Sequence, residues 1–295
     1  MSIFNLVSAL RLHQWMKNIL IFVPLLAAHK FNQTESLFEA FRAFVTFSIT
    51  ASGVYVINDL IDAKEDQAHH RKMNRPFASG AISRKIGHMM WIFLILLAGV
   101  LAVSLHGRDF CITLLVYFLL TLAYSLKLKQ IAILDVLVLS AFYTLRIIAG
   151  AAAIGVIPSF WLLTFSMFFF LSLAMMKRFI EIGALKGSGK VLGKGYSSED
   201  ATVLFSLGTS TGYISILVLA LYIQDQHTID MYAEPRFIWL ACPILLFWIS
   251  RSWFLAHRGM VHEDPIVFAL QDRISLLLAV AVIFVFTLAK FGGEL

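Results

Sequence analysis

The chain has 295 residues, 59% hydrophobic and only 14% charged, with 24 Lys and Arg against 18 Asp and Glu. A mean hydropathy of +0.81 lies far from that of soluble domains, in which about a quarter of residues are charged. Composition therefore excludes a soluble globular enzyme and a soluble nucleic-acid binder, and the net charge of +6 suits anionic lipid or an anionic substrate instead. Two cysteines, Cys111 and Cys242, both in apolar surroundings, imply neither a disulfide framework nor a zinc site.

Apolar windows of about 17–25 residues predict an all-α integral membrane protein with nine transmembrane helices in a single polytopic domain over 1–295. They fall at about 12–28, 37–58, 88–106, 109–126, 131–155, 158–180, 202–223, 236–256 and 272–291. In the first, only Ile19 to Ala28 is uninterrupted, and Ala27-Ala28 passes for a signal-peptide cleavage site. Charge parity opposes cleavage. With the N-terminus inside, 18 of the 24 Lys and Arg fall at cytoplasmic ends, five fall outside, and Arg146 sits within a span. The positive-inside rule then predicts an inner (plasma) membrane protein with a cytoplasmic N-terminus, an external C-terminus and an active site facing the cytoplasm. Oligomeric state is left open.

At the mouth of the first span, Gln14, Lys17 and Asn18 share a helix face. Two readings stand: a polar face turned into a cavity, or a snorkelling Lys17 beside Trp15 as an interfacial anchor. The second span leaves the membrane in Asn58-Asp59-Leu60-Ile61-Asp62-Ala63-Lys64-Glu65-Asp66. Asp59, Asp62 and Asp66, spaced i, i+3 and i+7, crowd like charges on one face, an arrangement that invites Mg²⁺, which bridges oxygens to a substrate's phosphates and needs few protein ligands. The alternative is a solvated acidic helix end. Arg71, Lys72 and Arg75 follow directly and suit phosphate oxygens, whereas the adjacent His69 and His70 do not face each other as metal ligands would.

Beyond the fourth span come Tyr124, Lys127 and Lys129, then Asp135 and Arg146 on one face of the fifth span, about 16 Å apart and too far to pair. An arginine within a span needs a counter-charge, a water-filled cavity, or the carbonyls of a neighbouring helix. The sixth span ends in Lys177, Arg178 and Glu181, either a helix-end salt bridge or a phosphate clamp with a carboxylate for metal or sugar hydroxyls. The glycine-rich, basic stretch from Lys186 to Asp200 lacks P-loop spacing and reads as a lid or connector. Asp264-Pro265 and Asp272-Arg273 read as cap and anchor residues.

Asn58-Asp59-x-x-Asp62-x-x-x-Asp66 resembles the first aspartate-rich motif of the UbiA superfamily of intramembrane prenyltransferases, whose fold is nine transmembrane helices around a central cavity open to the cytoplasm. Arg11-Leu-His-Gln14-Trp15-Met-Lys17-Asn18, Asn74-Arg75-Pro76-Phe-Ala-Ser-Gly80, Leu145-Arg146-Ile-Ile-Ala-Gly150, Lys177-Arg178 with Glu181, and Glu263-Asp264-Pro265 with Asp272-Arg273 more narrowly resemble its decaprenyl-phosphate phosphoribosyltransferase branch. The likeness runs nearly the full length. It implies Mg²⁺-dependent transfer of 5-phosphoribose from phosphoribosyl pyrophosphate to a polyprenyl phosphate, with release of pyrophosphate. Two departures from the wider superfamily weaken prenylation of an aromatic ring. A second Asp-x-x-x-Asp motif after the sixth span is absent, with Lys177, Arg178 and Glu181 in its place, and Lys127 and Lys129 do not stand in Tyr-x-x-x-Lys spacing after Tyr124.

The resemblance implies a division of labour. Asp59 and Asp62 hold Mg²⁺, with Asp66 as third ligand or behind them; Asn58 and Arg146 belong to the substrate site. Lys17, Arg71, Lys72 and Arg75 neutralise the leaving group, while Tyr124, Lys127, Lys129, Lys177 and Arg178 serve the other phosphates. Glu181 or Asp135 takes ribose hydroxyls, and apolar spans accommodate the isoprenoid tail. Two other readings compete: prenyl transfer to an aromatic or other acceptor, and a transporter, which would place its charges nearer the bilayer midplane.

Overall fold

The computed structural model describes residues 3–67, 73–105, 107–184, 189, 193–261 and 264–292, and among them there is no β-strand. Helix α1 (Ile3–Leu10) leads through a 3-10 helix, Leu12–Phe22, into α2 (Val23–Ala27), α3 (Thr34–Ile61), α4 (Ala63–Gln67), α5 (Arg84–Leu105), α6 (Arg108–Leu126), α7 (Leu134–Ala153), α8 (Phe160–Gly183), α9 (Ala201–Tyr222), α10 (Gln226–Met231), α11 (Ala241–His257), α12 (Pro265–Gln271) and α13 (Arg273–Phe291). Eight of these elements, α3, α5, α6, α7, α8, α9, α11 together with the 3-10 turn Pro235–Leu240 that leads into it, and α13, are long and apolar enough to cross a membrane. The expected first span, 12–28, differs. It is the 3-10 helix running into the five residues of α2. Neither piece stands among the eight elements long and apolar enough to cross a membrane.

The chain divides into two compact units, residues 1–127 with 145–158, and residues 128–144 with 159–295. Helix α7 contributes its residues through Thr144 to the second and those from Leu145 to the first.

In the first unit α3 is the central helix, packed by α1, the 3-10 helix, α5 and α6. Its 28 residues make about 42 Å, longer than the apolar layer of about 30 Å, and its last turn carries Asn58 and Asp59. Small polar residues line its buried length. Thr46 and Thr50 donate to the carbonyls of Arg42 and Thr46, which satisfies their hydroxyls inside an apolar layer. Gly150 on α7 lies directly against the Ile21 carbonyl, with no room for a Cβ; this lets the 3-10 helix lie close to α7.

The second unit is built on α8 and α9, with α11 packed against both and α13 against α11. Gly208 and Gly212 of α9 face Trp253, Met175, Ile249 and Ser172, a small-xxx-small seam that allows close helix approach. Ser172 donates to the Gly208 carbonyl at 2.6 Å and accepts from Trp253 Nε1 at 3.1 Å. Asp264 caps α12 and Asp272 caps α13, as their spacing suggests. Bonds from Arg251, then from Ser275, pull the Asp272 carboxyl down to about 2.

Candidate functional site

The carboxylate run at the end of α3 keeps helical hydrogen bonding through Asp62, whose amide bonds the Asn58 carbonyl at 2.9 Å, while the Asp66 amide bonds the Asp62 carbonyl at 2.8 Å. Asp59 and Asp66 therefore do share a face. Both are buried, 4% and 3% exposed, and one nitrogen, Arg75 Nη1, donates to Asp59 Oδ1 at 3.2 Å and Asp66 Oδ2 at 2.7 Å. A second arginine, absent from the expected set, completes the cluster. Arg11 donates from Nη2 to Asp59 Oδ1 at 2.6 Å and from Nε to Oδ2 at 3.2 Å, with its guanidinium 5.2 Å from the Tyr55 ring centre.

Arg11 also marks the break between α1 and the 3-10 helix. It adopts left-handed backbone angles, φ 50° and ψ 48°, at a cost of about 1–2 kcal/mol for a non-glycine residue. Ser52 holds the break by donating to the Leu10 carbonyl and accepting from Trp15 Nε1. Only sequence-distant pairing reveals Arg11, since Asp59 lies 48 residues away. Asp62, at the helix end, is half-buried, and Asn58 Oδ1 is a buried acceptor with no hydrogen-bond partner. Oxygen-only donors of this kind fit a hard divalent ion, for which one or two carboxylates suffice beside substrate phosphates. Among the described residues, no three His, Cys, Asp or Glu side chains converge as a self-contained metal cage.

Further along the 3-10 helix, Lys17 and Asn18 are buried. Arg146 is held by Asn18 Oδ1 at 2.8 Å and lies 5.3 Å from the ring centres of both Phe47 and Tyr117. A desolvated cation between two aromatic faces gains about 2 kcal/mol or more. Neither backbone carbonyls nor Asp135 is needed to explain this contact. Tyr124 is half-buried and Lys127 is exposed at the end of α6. Arg71 and Lys72 lie outside the described residues.

The second unit carries its own polar cluster. Arg178 is bidentate to Asp135 and donates from Nη1 to Glu181 at 2.6 Å. Lys194 reaches the same Glu181 oxygen at 2.5 Å, while Lys177 turns away to Asp264 at 2.9 Å. Lys194 was not anticipated; it comes from the glycine-rich stretch, whose residues 193–200 are docked. Tyr196 is buried and its hydroxyl oxygen accepts from the Ile133 amide at 2.9 Å, and Gly195 leaves no room for a Cβ against the Gln130 carbonyl. Burial lifts the Tyr196 hydroxyl to about 12. Burial, and then the charge of Arg178, lowers the Lys194 ammonium to about 8. Lys129 lies in the short 3-10 turn Leu128–Gln130.

The model of the UbiA prenyltransferase family matches residues 19–258. The nodulation protein NoeC of Azorhizobium caulinodans is 38% identical over 91% of the chain and 87% of its own length. An uncharacterised Sinorhizobium fredii protein, y4nM, is 36% identical over 96% of the chain, which spans only 55% of that relative's length. The decaprenyl-phosphate phosphoribosyltransferase of Mycobacterium tuberculosis is 30% identical over 94% of the chain and 91% of its own length. A solved UbiA homologue from Archaeoglobus fulgidus, bound to DMAPP and Mg²⁺, has the same fold, with a TM-score of 0.72 at 16% identity over 95% of this chain and 98% of that one.

Proposed function

The chain belongs to the UbiA prenyltransferase family, and we propose that it transfers 5-phosphoribose from phosphoribosyl pyrophosphate to a polyprenyl phosphate, releasing pyrophosphate. The observation that carries this reading lies in the second unit. After the sixth expected span this chain sets Lys177, Arg178 and Lys194 among Glu181, Asp135 and Asp264, in place of a second Asp-x-x-x-Asp motif. The relatives named for phosphoribosyl transfer to a decaprenyl phosphate support it, at 30% identity over most of the chain.

Asp59, Asp62 and Asp66, with Asn58 Oδ1, would hold Mg²⁺; when bound it offsets charge on the pyrophosphate and makes it a better leaving group. Arg75 and Lys17 add cationic charge to the same task. The bond between ribose C1 and the pyrophosphate oxygen breaks, and a lipid phosphate oxygen forms the new bond at C1 with inversion. That oxygen is already ionised at neutral pH, so no general base is required. Lys177 and Lys194, paired with Asp264 and Glu181, would exchange those carboxylates for phosphate oxygens. Because Asp135 commits both oxygens to Arg178, Glu181 is the better placed of the two acids for ribose hydroxyls. The charge distribution supports a cytoplasmic N-terminus, with this chemistry on the same side.

The test is to incubate purified protein and Mg²⁺ with radiolabelled phosphoribosyl pyrophosphate and a polyprenyl phosphate. A labelled lipid is the expected result. Its absence, together with prenyl transfer from a prenyl diphosphate to an aromatic acceptor, would replace this reading with the second one.

A further inference from the structure

Arg75 stands between Asp59 and Asp66, two of the carboxylates read above as holders of a divalent cation. Its Nη1 bridges two carboxylates whose side chains are only 5% and 4% exposed, and without a cation between them two such buried charges would repel strongly. Together, Asp59, Asp66, Arg11 and Arg75 sum to no net charge. Adding a bare divalent cation would leave an uncompensated buried charge, which is costly. Adding the cation with a diphosphate would not, because a diphosphate carries more negative charge than the cation cancels and offers Arg75 new oxygens to bond.

The two arginines differ in how easily they leave. Arg11 is bidentate to Asp59, lies over the Tyr55 ring and is 20% exposed. Arg75 contributes one nitrogen, is 28% exposed, and belongs to the turn region after α4 rather than to a helix. Arg11 is therefore the fixed support of Asp59 and Arg75 the exchangeable one.

We propose that Arg75 acts as a resident cation that keeps the Asp59–Asp66 pair closed to a bare divalent ion and yields only when the ion arrives with a diphosphate. Metal and diphosphate binding are then coupled, and each raises the affinity for the other by the same factor. The inference rests on the reading that these carboxylates hold Mg²⁺.

The experiment measures Mn²⁺, a spectroscopically visible substitute for Mg²⁺, bound to detergent-purified protein by equilibrium dialysis and electron paramagnetic resonance, with and without inorganic diphosphate. Wild type should bind Mn²⁺ weakly alone and at least about tenfold more tightly with diphosphate, whereas Arg75→Gln should bind Mn²⁺ alone about tenfold more tightly than wild type and gain little from diphosphate. Equal affinity of the two proteins for Mn²⁺ alone would overturn the inference while leaving the metal assignment intact. No uptake by either protein under any condition would overturn both. If Arg75→Gln does not fold, Arg75→Met is measured instead, since it removes the charge and keeps an unbranched side chain. Tighter Mn²⁺ binding than wild type supports the proposal, and equal binding contradicts it.

Discussion

Arg178 grips both oxygens of Asp135, with Nε 2.5 Å from Oδ2 and Nη2 2.9 Å from Oδ1, and the two side chains are 2% and 0% exposed. Such a pair spends its attraction on desolvation and is hard to break from one side. Arg178→Ala should therefore cost about 3–5 kcal/mol of stability by leaving Asp135 charged and buried. Replacing both residues with apolar side chains of similar size should cost much less. Thermal unfolding of the purified variants checks this; a stable Arg178→Ala protein with only a raised KM for phosphoribosyl pyrophosphate would mean that the arginine meets substrate directly.

Asp59→Asn and Asp66→Asn each remove a charged oxygen donor without changing side-chain size. Turnover should fall far more than about tenfold, the equivalent of about 1.4 kcal/mol in the barrier. Stability should fall less than for the Arg178 pair, because Arg11 and Arg75 are partly exposed and can turn to water. Steady-state rates at saturating Mg²⁺, set beside melting temperatures, separate the two effects.

Lys194 gives a pH dependence with a definite sign. Its pKa falls from 10.5 to about 8 in the fold, through burial first and Arg178 second. The charged form is penalised in full below about pH 8, and the penalty lifts as pH rises from about 8 to 10.5, where the unfolded chain binds more protons. The wild-type melting temperature should thus gain on that of Lys194→Met across this window. Affinity for phosphoribosyl pyrophosphate should move oppositely, declining above about pH 8 as the ammonium on Glu181 is lost, in wild type and not in the variant.

Gly150→Ala drives a methyl group into the Ile21 carbonyl. A backbone oxygen cannot rotate aside as a side chain can, so overpacking of about 1–3 kcal/mol is expected. The displaced 3-10 helix carries Lys17 and Asn18, and Asn18 bonds Arg146. A rise in KM should therefore accompany the loss in melting temperature.

Hydropathy located the long helices because crossing the hydrocarbon layer demands an apolar run. It missed their polar ends: α3 covers Thr34–Ile61 against the expected 37–58, and α5 begins at Arg84 rather than at 88. The carboxylates Asp59 and Asp66 were legible because their spacing is local to one helix. The arginine facing them was not, since Arg11 pairs across 48 residues at a left-handed break that no propensity marks. Likewise Lys177, for which the sequence offers a helix-end salt bridge or a phosphate clamp beside Glu181, finds its carboxylate in Asp264, 87 residues on. The 3-10 winding of Leu12–Phe22 was invisible for a different reason, because length and hydropathy do not distinguish it from an α-helical span.

The most direct test of the central claim uses phosphoribosyl pyrophosphate labelled twice, with carbon-14 in the ribose and phosphorus-32 in the pyrophosphate, incubated with a polyprenyl phosphate, Mg²⁺ and the purified protein. Phosphoribosyl transfer predicts carbon-14 in the organic phase as a phosphorylated lipid and phosphorus-32 in the aqueous phase as pyrophosphate, in equal molar amounts. Phosphorus-32 carried into the lipid, or an unlabelled lipid from protein that does transfer a prenyl group to an acceptor, would contradict it.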